Sequence, residues 1–289
     1  MGFGNQQGIG LISILLGLTS AITWGAGDFT GGLASRRTGA YRAVFYGEAV
    51  GLAVLFAAVF AVPERLPGFQ AAAFSIAAGA LGTLGLMLLY TAMAQGKMSI
   101  AAPVSALLAA ALPVVVGMIT AGFPGYRIFV GFGFALAAIW LISQSEDGVK
   151  DILTHLSDLR LPLLAGVGFG LYFVLMNAAT RQTTLWPMVL ARAAGLVAMA
   201  VFIIVRRDSF VAVRAAWPLM ILNGILDVGG NFFYVLAGQA GRLDISAVLS
   251  SLFPGSTVIL AWIVLRERLT RTQWLGIGCA LIAIILFTV

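Results

Sequence analysis

The chain has 289 residues, of which 61% are hydrophobic and only 10% charged, and its mean hydropathy is +1.02. A soluble domain carries about 25% charged residues, so no aqueous surface can be tiled from this composition and the apolar excess has to face lipid. The formal net charge of +6 comes from Lys and Arg scattered through short connections. That scatter excludes a nucleic-acid footprint and makes these residues topology signals.

The first apolar run extends from Ile9 to Ala34, with no Lys or Arg ahead of it and no small-residue cleavage site after it. It reads as a membrane span, not a signal peptide. At about 20 residues per crossing the further spans are Ala43–Val62, Ala71–Ala94, Ile100–Phe123, Ile128–Ser143, Leu161–Ala179, Pro187–Val205, Pro218–Gly238, Ile245–Leu265 and Gln273–Val289. Arg36-Arg37-Thr38-Gly39, Pro63-Glu64-Arg65-Leu66-Pro67-Gly68, Gly96-Lys97, Pro124-Gly125-Tyr126-Arg127 and Arg206-Arg207-Asp208 punctuate them. The predicted architecture is all-α, with ten transmembrane helices.

One connection is long and polar, Gln144 to Arg160, and it falls near the midpoint. Ile152, Leu153, Leu156 and Leu159 recur there at helical spacing opposite Asp147, Lys150, Asp151, His155 and Asp158, which predicts a short interfacial helix. It divides residues 1–144 from 161–289, with 145–160 as the linker. His155, the only histidine, belongs to the wet face and has no second histidine or cysteine to hold a metal with. Cys279 stands alone in an apolar run, so neither an internal disulfide nor a thiolate cluster is available. No metal and no cofactor is expected.

The halves resemble each other. A shift of 144 positions places Arg37 on Arg181, Ala49-Val50-Gly51-Leu52 on Ala193-Ala194-Gly195-Leu196, Tyr90 on Tyr234 and Gln95 on Gln239. With one residue of slip, Gly96-Lys97-Met98 falls on Gly241-Arg242-Leu243, and Gly131 and Gly133 fall on Gly276 and Gly278. Five spans per half is an odd number, so the second copy enters the membrane upside down and the repeat is inverted. Odd-numbered connections hold Arg36, Arg37, Arg42, Lys97, Lys150, Arg160, Arg206, Arg207, Arg214, Arg266, Arg268 and Arg271, against Arg65, Arg127, Arg181 and Arg242 in even-numbered ones. The positive-inside rule then makes the odd connections cytoplasmic and both termini periplasmic or extracellular, in a multi-pass protein of the bacterial inner membrane.

Three segments resemble the EamA-type transporters of the drug/metabolite transporter superfamily, which include ten-helix bacterial amino-acid and metabolite exporters. Ala21-Ile22-Thr23-Trp24-Gly25 is similar to the family's first-helix Trp-Gly signature, and Leu249-Ser250-Ser251-Leu252-Phe253-Pro254 to its ninth-helix Leu-x-x-Leu-x-Pro stretch. Leu265-Arg266-Glu267-Arg268-Leu269-Thr270, followed by Trp274-Leu275-Gly276, is similar to the Glu-Arg-Leu-Thr segment before its last helix. Pro113 matches Pro254 in the first half, but Tyr126 stands where Glu267 has its counterpart. The resemblance implies a central cavity lined by the first, third, fourth, sixth, eighth and ninth helices, and the work of a transporter.

An ionisable group inside a span costs about 2.5–3.5 kcal/mol on insertion scales, so it should face the bundle interior or water. Asp28, Glu48, Arg192 and Asp227 are of this kind. Glu48 and Arg192 fall on matching positions, which predicts a structural ion pair if the second and seventh helices meet near the pseudo-twofold axis; a substrate or proton role, and snorkelling to an interface, are the alternatives. Asp28 follows Trp24 by one helical turn, and Asp227, Asn231 and Tyr234 form a polar stripe on the eighth helix. Binding of an ammonium group or proton carriage suits Asp28 and Asp227, against the alternative of carboxyls protonated or hydrogen-bonded in helix packing. Trp24, Tyr90, Tyr172, Asn177, Asn231 and Tyr234 complete the candidate substrate site, as aromatic walls and neutral hydrogen-bonding groups for a zwitterion.

Gly79, Gly82 and Gly85 line one side of the third helix, and Gly27-x-x-x-Gly31 flattens the first. Pro103, Pro113 and Pro254 fall inside the fourth and ninth spans, and Pro113 and Pro254 are the candidate gating residues. An enzyme is disfavoured: there is no His-Glu-x-x-His, no paired His and Asp in a span and no Walker-type loop. A passive channel and a flippase for lipid-linked substrates compete with a carrier, but a flippase favours a basic headgroup site, whereas Asp28 and Asp227 suit a cationic or zwitterionic solute. The expected function is export of small metabolites, amino acids above all, by a monomer or weak dimer whose partners are the solute and the bilayer.

Overall fold

A computed structural model describes residues 3–94, 98–142, 160–266 and 269–288, with side chains for 10–89, 104–142, 160–266 and 269–287. The predicted linker helix with His155, the Lys97 turn, Glu267-Arg268 and the Tyr90 and Pro103 side chains lie outside the described residues. Among the described residues there are helices and connections and no strand. The helices are α1 (Phe3–Thr38), α2 (Ala40–Ala61), α3 (Phe69–Ala94), α4 (Met98–Ala121), α5 (Tyr126–Ile142), α6 (Arg160–Ala179), α7 (Leu185–Val205), α8 (Trp217–Ala240), α9 (Leu243–Ser250), α10 (Phe253–Leu265) and α11 (Arg271–Thr288). In hydrocarbon every backbone donor and acceptor must be satisfied within the segment, which is why sequences this apolar become helices. Among the described residues, eight spans are long and apolar enough to cross a membrane, with α9 and α10 forming one of them, and α5 and α11 are shorter apolar helices. The protein is a multi-pass membrane protein.

The ninth span differs from expectation, because it is two helices and not one. α9 ends at Ser250, and α10 starts at Phe253 with Pro254 in its first turn. A proline at 254 has no N–H to donate to the Ser250 carbonyl, and its ring crowds that carbonyl. The helix therefore stops at that residue, closes with Ser251 N–H donating to Ala247 O (2.9 Å), and restarts with Gly255 N–H donating to Leu252 O (2.9 Å). The same chemistry at Pro113 has a different outcome: α4 runs from Met98 to Ala121 without interruption.

α1 packs along α8, and α3 along α6. α6 also lies on α4, as α1 lies on α9 and α10; α3 lies on α7, as α8 lies on α2. α2 meets α7, α4 meets α9, and α5 meets α11. Connections meet in two separate groups. Glu64, in the connection between α2 and α3, accepts hydrogen bonds from the Thr184 and Leu185 amides at the start of α7 (2.9 and 2.8 Å), where it fills the role of a helix cap. Arg42, at the start of α2, binds Asp208 (3.3 Å) and the Ser209 carbonyl (2.6 Å) beyond the end of α7. Even-numbered connections touch even ones and odd touch odd, as a bundle with one set on each membrane face requires.

Candidate functional site

The polar residues of the spans converge where α2, α7 and α8 meet. Arg192 of α7 is 9% exposed and held from both sides: its Nη1 lies 2.8 Å from Glu48 Oε2 of α2, and its Nη2 binds Asp227 Oδ2 of α8. A guanidinium carries five donors in a rigid fork and stays charged, so two carboxylates can share it, and removing any one partner leaves an uncompensated charge in a low-dielectric setting. Asp227 is the more accessible carboxylate, with 35% of its side chain exposed against 15% for Glu48. One turn on, Asn231 Nδ2 donates to the Asp227 carbonyl (2.7 Å), and the Tyr172 hydroxyl of α6 donates to Asn231 Oδ1.

Asp28 comes to the same level from α1. Its neighbour Gly27 abuts α8 so closely that a methyl group there would stand 3.5 Å from the Asp227 amide nitrogen. The Asp28 side chain is exposed and makes no hydrogen bond or ion pair among the described residues. Three carboxylates and one guanidinium thus stand in one region of the spans.

An aromatic wall lies beside them. Trp24 stacks on Phe173 (5.6 Å between centroids) and Tyr234 (6.0 Å) and meets the edge of Phe253 at the start of α10 (6.5 Å). The indole lies against Gly230, where a methyl group would be 2.6 Å from its Cγ, so the glycine is what lets α1 seat a tryptophan on α8. Tyr234 is fully buried, and its hydroxyl donates to the Phe173 carbonyl (2.6 Å), so it builds the wall and does not offer a free hydroxyl. Asn177 lies apart, against Gly238 of α8. Eleven residues beyond Asp227 at 1.5 Å each puts that contact about 16 Å along the helix.

The structure therefore brings Asp28, Asp227, Asn231, Tyr172 and Trp24 to one region, with Glu48 and Arg192 adjoining, and leaves Asn177 outside it. The link between Arg192 and Asp227 has no signal in the sequence, because the two residues are not repeat mates and nothing in their spacing points across two helices. Ser251, in the break of the ninth span, is a further polar feature: its hydroxyl is buried without a hydrogen-bond partner among the described residues. Its position within the Leu249 to Pro254 motif is the only hint the sequence carries.

A charged cluster and an aromatic wall thus stand within the spans of a polytopic bundle. Residues 159–289 match the EamA-like transporter family, a family of the drug/metabolite transporter superfamily. An uncharacterized protein of Methanocaldococcus jannaschii is 25% identical over 129 residues, which are 45% of this chain and 94% of that protein. A crystal structure of a protein 18% identical in sequence superposes with a TM-score of 0.73 over 95% of each chain, a likeness of fold.

Proposed function

We propose that the protein is a secondary carrier that exports small amine-bearing metabolites, amino acids foremost, across the bacterial inner membrane by alternating access. The observation that carries this reading is the pair Asp28 and Asp227. They are carboxylates at one level of the spans, exposed or partly so, beside the Trp24 wall. A single guanidinium cannot balance three carboxylates, and an ammonium group entering beside Asp28 supplies the missing positive charge. Trp24, Tyr172 and Asn231 give the solute an aromatic face and neutral hydrogen bonds.

In this reading the halves, 1–144 and 161–289, are inverted five-helix repeats joined by the linker 145–160 and enclosing a central cavity. Helix packing supports it: exchanging each span for its counterpart five places on turns the α1–α8 contact into α6–α3, and α2–α8 into α7–α3, while α2–α7 and α5–α11 map onto themselves. The Methanocaldococcus relative, nearly all of which matches less than half of this chain, supports a half as a unit. Counterflow in proteoliposomes tests the function. Preloaded unlabelled amino acid should drive transient accumulation of the labelled one, saturably, and linear non-saturable flux would make the protein a channel.

A further inference from the structure

The carrier reading needs a gate at each end of the cavity, and the connection between α8 and α9 supplies a structure for one of them. Asp244 is completely buried in the first turn of α9. Its carboxylate accepts from Arg242 at Nε (3.1 and 3.3 Å) and Nη2 (2.7 Å), and from the Ile245 amide (2.9 Å). The same guanidinium reaches over to the other half of the chain, where Nη2 donates to the Gly122 carbonyl (2.9 Å) and Nη1 to the Ala121 carbonyl (3.3 Å) at the end of α4. Helix ends leave carbonyls without partners, and an arginine that satisfies two of them across a helix interface ties the helices together at that point.

A second contact fixes the same joint. Gly117 of α4 faces Asp244 so closely that a methyl group there would lie 2.8 Å from Asp244 Cβ and 2.9 Å from Cγ. α4 and α9 can meet in this way only with glycine at 117. The buried part of the ninth span lies on the clamp's side of the membrane. Six residues of α9 are buried, from Asp244 to Ser250, whereas α10, the other half of the same span, has no buried residue. Ser13 of α1 closes the same end, donating to the Ala237 carbonyl of α8 (2.8 Å).

We propose that Arg242, Asp244 and Gly117 form the latch of the gate on the face of the even-numbered connections, closed in this structure, and that opening toward that face requires the Arg242 contacts with the end of α4 to break. The inference rests on the alternating-access reading and assigns its gate. Arginine serves here as a releasable tie: its partners at the end of α4 are two neutral carbonyls, whereas Asp244 is an ionised acceptor, so the joint parts on the α4 side and the buried ion pair stays intact.

The test is a single cysteine at Ser246, a completely buried position on α9, on a Cys279→Ala background, labelled with a membrane-impermeant maleimide in sealed vesicles of known orientation. Arg242→Gln should raise the labelling rate from the even face by about tenfold or more, the scale of losing two hydrogen bonds from a charged donor. Gly117→Ala, which leaves the ion pair in place and wedges α4 from α9, should raise it too. Because Arg242→Gln strands a buried carboxylate, the double variant Arg242→Gln/Asp244→Asn is measured alongside it, with melting temperature as the check on folding. Unchanged labelling in a folded double variant and in Gly117→Ala makes the joint a static helix cap and overturns the latch. Altered labelling in a protein that shows no solute counterflow leaves the latch standing and retires the amino-acid carrier reading instead.

Discussion

Gly131 and Gly276 hold equivalent places on the two sides of one interface. A methyl group on Gly131 of α5 would lie 2.6 Å from the Phe287 ring of α11, and one on Gly276 of α11 would lie 2.8 Å from Ile142 Cγ1 of α5. A shift of 145 positions carries Gly131 to Gly276 and Ile142 to Phe287, so each glycine receives a side chain from the last turn of the other helix. Such reciprocity is what the proposed inverted repeat expects of α5 and α11. The Gly276 site also presses on the Ile142 backbone nitrogen at 2.8 Å, whereas the nearest neighbours of Gly131 are side-chain atoms. Gly276→Ala should therefore destabilise the protein by about 1–3 kcal/mol, and Gly131→Ala by less, because a ring can turn aside and a backbone cannot. Melting curves of the two variants in detergent check the order, and equal or reversed losses contradict it.

The topology yields an independent expectation. Lys and Arg favour the odd-numbered connections, so both termini should lie outside the cytoplasm. A C-terminal reporter that is active only in the cytoplasm should stay dark, while an alkaline phosphatase fused after Arg207 should be inactive. A bright terminus together with an active phosphatase at that position inverts the assignment.

Asp28→Asn and Asp227→Asn should both impair transport, but their stabilities should differ. Asp28 makes no hydrogen bond or ion pair among the described residues, so its neutral variant should melt within about 0.5 kcal/mol of the parent, the range of uncoupled substitutions. Asp227 holds one side of Arg192, and Asp227→Asn should cost about 1–3 kcal/mol as that charge-assisted bond weakens. Thermal denaturation with counterflow on the same preparations separates the two effects. Full transport by both variants removes the carboxylates from the substrate site.

The bundle was legible in the sequence because each part of it has a local cause. Apolar runs of about 20 residues and arginine-rich turns both act within short stretches of chain. Glu48 and Arg192 could be set beside each other because they fall on matching positions 144 residues apart, and they form an ion pair. Asp227 could not be joined to Arg192 in the same way, since that contact depends on how α8 is rotated against α7. Nor could the difference between Pro113 and Pro254, where one residue type leaves α4 continuous and breaks the ninth span. Local propensity allows either outcome, and the packing around each proline selects one.

That difference gives the most specific expectation about the transport cycle. In an inverted-repeat carrier the halves exchange shapes between the two states, so the ninth span, broken here at Ser250 and Phe253, should become continuous when α4 breaks at Pro113. Pro254→Ala restores an N–H that can donate to the Ser250 carbonyl and removes the ring that crowds it, so it should favour the state with a continuous ninth span. Given the scale of proline effects in helices, the bias should be about 1–3 kcal/mol, or roughly five- to a hundredfold in population. With the proposed latch closed at the even-numbered connections, Pro254→Ala should open that face and raise labelling of the cysteine at Ser246. Pro113→Ala strengthens a helix already continuous here and should hold the face shut, lowering the initial labelling rate below that of the parent. The two rates, measured side by side on the Cys279→Ala background, decide the matter. If both substitutions move the rate in the same direction, or neither moves it, the prolines are fixed packing features and the exchange of helix shapes is not how this protein opens.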